Sequence, residues 1–188
     1  MSHYLPYIMI DDDFYLNYSL LVLILYRQGL STKKNATLDF EKLQIFLYLT
    51  KNPSKINPIL NLAGKKFAPI SAQYTYTIES LSTNVDMLFD RAKLKSLLKE
   101  LASRGMLSCD KTDPSSIKYL LSEPGTLFAQ RLIESATIHQ DSIKPEPRYL
   151  STQSYFPAAL EVIDSLSALQ SQSNSKLNSF LNTTFKRT

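Results

Sequence analysis

Apolar residues recur at helical spacing through most of this chain, and the pattern predicts a mainly α protein, α+β by one small hairpin. The run Leu20-Leu21-Val22-Leu23-Ile24-Leu25 is apolar on every side of a helix, so the helix from near Asp13 to near Gln28 is predicted to be central or covered on two faces. Asp12 or Asp13 can accept hydrogen bonds from the free amides of its first turn, and Gly29 is placed to stop it. A polar loop, 31–36, separates it from a second helix that follows Thr37 and runs to about Lys51, with Phe40, Leu43, Phe46 and Leu47 on its inner face. Asn52-Pro53-Ser54 breaks that helix. Ser54 is placed to cap a short third helix through Leu62, and Pro58 makes its first turns irregular. Residues 1–10 read as extended, because Pro6 biases Leu5 away from helix. Residues 64–78 read as irregular, with Gln73 to Ile78 alternating like an edge strand.

Beyond a short helical turn at 84–89, Asp90 caps a helix from Arg91 to Arg104, which Gly105 ends. Leu94, Leu97, Leu98 and Leu101 lie on one of its faces and Lys93, Lys95 and Lys99 elsewhere. A strand at 106–109, a turn at 110–116 containing Asp113-Pro114, and a return strand at 117–121 follow. Pro124 opens a helix over 127–135. Helix, strand, turn, strand, helix is the order of a winged-helix unit. The expected division is a helical region at 1–78, a winged-helix-like unit at 79–140, and a linker with C-terminal helices at 141–188, the linker marked by Pro145 and Pro147. Leu160, Ile163, Leu166 and Leu169 form a narrow stripe suited to one partner helix, and a last helical segment carries Leu177, Phe180 and Leu181. These two segments are expected to reach to partners or to close over the core.

Composition narrows the chemistry. In 188 residues there are two histidines and one cysteine, Cys109, so a structural zinc site lacks ligands and no intrachain disulfide can form, as in a reducing cytosol. No Gly-rich phosphate loop is present: Ala63-Gly64-Lys65-Lys66 lacks the first glycine and the Ser/Thr, and reads as a solvated loop. His3 and His139 have no triad neighbours in sequence. Asp11-Asp12-Asp13 offers oxygen ligands to a divalent cation, but consecutive residues seldom converge on one ion, and helix capping explains them better. The apolar run at 20–26 is too short to span a bilayer, and a signal peptide would need a basic front region where three aspartates stand. The chain is expected to be cytoplasmic, without a cofactor or metal, and not an enzyme.

The net charge of +4 permits nucleic-acid contact without demanding it. The candidate DNA-contacting residues are Lys93, Lys95, Lys99 and Arg104 on the helix before the hairpin, with Lys111 and Lys118 on or beside the hairpin. That helix carries few Asn, Gln or Arg side chains suited to bidentate base reading, so contact would be to the backbone. A solvated face on a protein-binding module explains the same residues. Tyrosines and phenylalanines in segments read as extended or linker-like, namely Tyr4, Tyr7, Tyr74, Tyr76, Tyr155 and Phe156, are candidate protein-interface residues, against packing of these arms onto the chain's own core.

A set of ordered phrases carries a resemblance: Leu5-Pro6-Tyr7-Ile8, Asp11-Asp12-Asp13-Phe14, Glu41-Lys42-Leu43-Gln44-Ile45-Phe46-Leu47, Lys51-Asn52-Pro53-Ser54, Ala63-Gly64-Lys65-Lys66, Ser82 through Asp90, and Leu94-Lys95. Over roughly residues 5–125 the chain resembles the middle component of ABC-three-component systems, the Lamassu-type anti-phage and anti-plasmid modules. The resemblance implies a non-catalytic scaffold or regulatory subunit that joins a dimer of an SMC-like coiled-coil ATPase to a nuclease-type effector, with double-stranded DNA reached through the complex. It carries no active-site residue. The alternative is a stand-alone winged-helix DNA-binding transcriptional regulator. A metal nuclease built on the aspartates at 11–13 would need ligands that the sequence lacks.

Overall fold

The computed structural model describes residues 13–70, 90–111, 116–141 and 155–186, without the side chains of 136–141 and 155. Helix α1 (Phe14–Gln28) begins at Asp13, whose Oδ1 accepts from the Tyr15 and Leu16 amides at 2.8 and 3.1 Å. Its six apolar residues from Leu20 to Leu25 are all buried. At about 1.5–3 kcal/mol for each fully buried aliphatic side chain, covering this run on all sides is a dominant stabilising contribution. Gly29 ends the helix as expected, but for a different reason. Its φ of −64° is ordinary, and what glycine supplies is room, since a Cβ there would run into the Leu25 carbonyl oxygen.

Thr37 does not open the second helix. Its hydroxyl donates to the Gln28 carbonyl at 2.5 Å, closing the end of α1, and Asp39 caps α2 (Phe40–Lys51) through a hydrogen bond from the Lys42 amide at 2.8 Å. A 3-10 turn, Pro53–Lys55, leads into α3 (Ile56–Leu62). The cap expected from Ser54 does not form: Lys55 occupies that position without a side-chain bond, and the Ser54 hydroxyl is buried with no partner among the described residues. The 3-10 turn has already drawn Ser54 into helical backbone, where a capping geometry is not available.

Helix α4 (Arg91–Ser103) carries the Asp90 cap, with the Lys93 amide 3.0 Å from Oδ1. It buries the four expected leucines and ends before Gly105, whose φ of +68° is the left-handed conformation that favours glycine. Strands β1 (Leu107–Asp110) and β2 (Lys118–Leu121) pair antiparallel, Leu107 opposite Leu121 and Asp110 opposite Lys118. A third contact, invisible in the pattern, is the isolated bridge from Leu38 to Tyr119, with the Tyr119 amide donating to the Leu38 carbonyl at 2.8 Å. It pins the hairpin to the segment between α1 and α2. Helix α5 (Glu123–Asp141) is longer at both ends than the expected 127–135. The stretch at 71–89, with the expected edge strand and helical turn, lies outside the described residues, as does the extended arm at 1–10.

The apolar stripe from Leu160 predicts a helix near Pro157 to Gln170; α6 (Tyr155–Ser165) starts two residues earlier, continues as a 3-10 turn (Leu166–Leu169), and is followed by α7 (Asn174–Phe185), capped by Ser173. The stripe on α6 is broader than one partner helix needs, because Ala158, Ala159 and Val162 are buried beside Leu160 and Ile163. It packs against α1, α2 and α5, while α7 packs against α2 and α3. The C-terminal helices therefore close over the core, one of the two expected outcomes. The buried cluster draws on every helix named above. Helix α1 touches α2, α4, α5, α6 and β2, which fulfils the expectation of a helix covered all round.

Two substitutions test the interior. Gln28 is buried and its Nε2 donates to the Ile163 carbonyl at 2.8 Å, tying α1 to α6. Gln28→Leu is expected to cost about 1–3 kcal/mol in urea unfolding, since the hydrogen-bond donor is lost and the site must absorb a changed shape. The Tyr48 hydroxyl is buried without a partner among the described residues, and burial pushes its pKa up to about 12. Its ring meets Phe185 edge-on at 5.9 Å. Tyr48→Phe keeps the ring contact and is expected to leave stability unchanged or raise it by about 1 kcal/mol; a loss of that size would show a partner for the hydroxyl.

Candidate functional site

The basic residues singled out in the sequence do not share one environment. Lys95 and Lys99 are exposed on the outer face of α4, and Lys93 beside them is half-buried. Arg104 is exposed but engaged: its Nε lies 2.6 Å from Glu100 Oε1, and its guanidinium sits 5.8 Å from the Tyr18 ring centre. Lys111 is exposed just after β1. Lys118, on β2, points the other way, with its Nζ 3.0 Å from Asp39 Oδ2.

Asp39 is the centre of the best-connected polar cluster among the described residues. It caps α2, pairs with Lys118 across 79 residues of sequence, and accepts two hydrogen bonds from Asn174 Nδ2 at 3.0 and 2.9 Å. Beside it, Lys42 is largely buried and its Nζ donates to the Gln170 carbonyl at 3.0 Å. Gln170 Nε2 reaches back to the Gln28 carbonyl at 2.8 Å. Partial burial works to raise the Asp39 pKa. The bonds from the Lys42 amide, Asn174 and Lys118 outweigh it and hold the carboxyl below its ordinary range. Burial lowers the pKa of Lys42, opposed by the Asp39 charge. The cluster joins α2, β2 and α7, so it stabilises the arrangement of the fold. Sequence reasoning can find the Asp39 cap, because an aspartate before an amphipathic run is a start signal. No local pattern signals Lys118 or Asn174.

A second feature missed in the sequence is a cleft of about 110 Å³ between α1, α4 and α5, lined by Phe14, Tyr15, Tyr18, Glu100, Arg104 and Phe128. Phe14 and Tyr18 stack at 6.1 Å, and Tyr15 is 75% exposed. Phe67 is likewise 75% exposed. It stands on a loop held by Asn57, which accepts from the Ala68 amide at 2.8 Å and donates to the Ala68 carbonyl at 3.1 Å. Lys65 and Lys66 beside it are exposed, as the solvated-loop reading requires.

Of the aromatic candidates, Tyr4, Tyr7, Tyr74 and Tyr76 lie outside the described residues, as does the side chain of Tyr155. Phe156 is not in a linker: it belongs to the first turn of α6 and is half-buried against the core cluster. The helix starts ahead of Pro157, which falls in its first turn, where the missing amide hydrogen breaks no helical bond. Asp13 caps α1, whereas Asp11 and Asp12 are outside the described residues, with His3 and the side chain of His139. Among the described residues no group of three or more His, Cys, Asp or Glu side chains is placed to hold a metal ion, and no helix is long and apolar enough to cross a membrane.

The protein is thus a mainly α chain, α+β by its hairpin, that offers charged and aromatic surfaces on a rigid frame. Residues 29–144, more than half of the chain, match the family model of the ABC-three component (ABC-3C) system Middle Component 4. The chain belongs to that family, and so is an adaptor-type component of a defence system. No curated protein and no solved structure matches it.

The Asp39 cluster gives a pH test. A carboxyl whose pKa is depressed by folding stabilises the fold above its ordinary value of 3.8, and that stabilisation is lost as pH falls through the folded value. Asp39→Asn is therefore expected to lower Tm at neutral pH, where Lys118 and Lys42 lose their counter-charge. Its deficit relative to the native chain should shrink as thermal melts are taken down to about pH 2. A deficit that stays constant with pH would mean that the carboxylate charge contributes nothing.

Proposed function

We propose that this chain is the non-catalytic scaffold and regulatory subunit of a Lamassu-type module, joining an SMC-like ABC ATPase dimer to a nuclease-type effector in the cytoplasm. The observation that carries this reading is the family match across residues 29–144, to a component defined by its work with other components. Three physical features support it. The helical frame is tied together by buried bonds such as Gln28 to Ile163, so it can hold partners in a fixed arrangement. The order α4, β1, β2, α5, with the hairpin anchored to Leu38, supports the reading of this part as a winged-helix-like unit, a kind used for protein contact as well as DNA contact. Phe67 and Tyr15 are held outward on opposite stretches of the chain, and aromatic side chains are the usual anchors of subunit interfaces. Such a subunit acts by differential binding: it favours one arrangement of ATPase heads and effector, and ATP or DNA shifts the balance.

Co-expression with a coiled-coil ABC ATPase encoded beside this chain, which the reading requires, tests it. The two are expected to co-purify at fixed stoichiometry, and the isolated chain to show neither ATPase nor nuclease turnover. Phe67→Ser is expected to weaken the complex by about tenfold or more, as for loss of an interface anchor, while Tm stays unchanged because the residue is exposed. Elution of the chain by itself, with turnover of its own, would overturn the assignment.

A further inference from the structure

We propose that the outer face of α4, with Lys111 at the turn end of the hairpin, is a sequence-independent contact for the backbone of double-stranded DNA. The proposal does not need the scaffold reading, because it concerns what this chain touches when it is alone. It begins from where the charge sits. Between residues 90 and 111 there are six cations against three carboxylates, a net +3 of the chain's +4. Two of the three carboxylates are occupied locally, Asp90 on the first turn of α4 and Glu100 on Arg104.

Geometry then orders the cations. Arg91, Lys95 and Lys99 are spaced i, i+4, i+8 and are all exposed, so they run along one side of the helix over about 12 Å. The opposite side of α4 buries Leu94, Leu97, Leu98 and Leu101, which fixes the orientation of the charged side. Arg91 is also held at one end, its guanidinium 5.0 Å from the Phe40 ring centre.

What lies between the cations decides the partner. Ala92, Ser96, Ala102 and Ser103 are the other exposed residues along this side, so the helix is slim and carries no large apolar anchor. A protein interface of useful affinity needs such an anchor at its centre, and an acidic protein surface is therefore the poorer fit. Helix α4 itself carries no aromatic side chain for base stacking, and the exposed Tyr15 stands beyond Arg104 at one end of it, which disfavours single strands. A bare α-helix does fit the major groove of B-form DNA, about 12 Å wide, and the deep narrow groove of an RNA duplex excludes it. Because the middle of the face has no Asn, Gln or Arg for bidentate base contacts, binding is to phosphates and is blind to sequence.

The test is fluorescence anisotropy of the full chain with two unrelated 24-base-pair duplexes (a length of about two helical turns), titrated over a range of salt. Both duplexes are expected to bind alike, with Kd of about 10⁻⁴ to 10⁻⁶ M at physiological salt and a steep loss of affinity as salt rises. Lys95→Ala/Lys99→Ala is expected to reduce the slope of log K against log salt by about 2 while leaving Tm unchanged, since each lysine lost removes about one phosphate contact. Lys33→Ala/Lys34→Ala, on an exposed loop elsewhere, is the matched control and is expected to leave the slope as it was. The proposal is overturned if no duplex binds at low salt, if both double variants lower the slope equally, or if single strands or a poly-glutamate peptide bind as tightly as the duplex.

Discussion

An apolar helix with no polar side must be surrounded, and everything else in this structure is arranged around that requirement. The run from Leu20 to Leu25 has six consecutive buried positions, so α1 cannot lie on a surface. Helices α2, α4, α5 and α6 and strand β2 each take part of its circumference. The hairpin and the C-terminal helices, far apart in sequence, are recruited to one core by the same need to remove that surface from water. A change that opened one side of α1 would expose apolar area to water, and it would release several elements together rather than one.

Burial alone is non-directional, and the polar bonds supply the direction. Asp39 is a helix cap by local chemistry, yet its second oxygen meets Lys118 on the hairpin and Asn174 on α7. Gln28 and Gln170 do the same for the end of α1, one reaching Ile163 and the other reaching the Gln28 carbonyl. Each bond is worth little alone, but a buried donor or acceptor left without its partner is costly, so alternative packings of the same helices are disfavoured. The outward features on this frame are the basic side of α4 and the exposed Phe67 and Tyr15.

Local signals in the chain were sufficient for much of this. Periodicity marks α1, α2 and α4, aspartates mark the starts of α1 and α4, and a glycine marks the end of α4, because these depend on residues within a few positions of one another. The hairpin was legible from two β-prone runs around Asp113-Pro114. Where reading failed locally, a competing partner explains it. Thr37 looked like the entrance to α2 but its hydroxyl was taken by Gln28, and Ser54 looked like a cap but lay in a 3-10 turn. Phe156 reads as linker-like from its place between Pro147 and the apolar stripe, and the core draws it into a helix.

By itself, then, the sequence determined the class of fold, the all-round covering of α1, the concentration of positive charge between 90 and 111, and the shortage of ligands for metal chemistry. Tertiary structure alone decided which lysines are free to meet a partner. Lys118 and Lys95 are equivalent as letters, but one lies 3.0 Å from Asp39 and the other faces water. It also decided that Leu38 pins the hairpin and that Phe14, Tyr18 and Phe128 share a cleft. The physical reason is range: capping and periodicity act within one or two turns, whereas ion pairs, bridges and clefts join residues whose separation along the chain carries no trace of their distance in space.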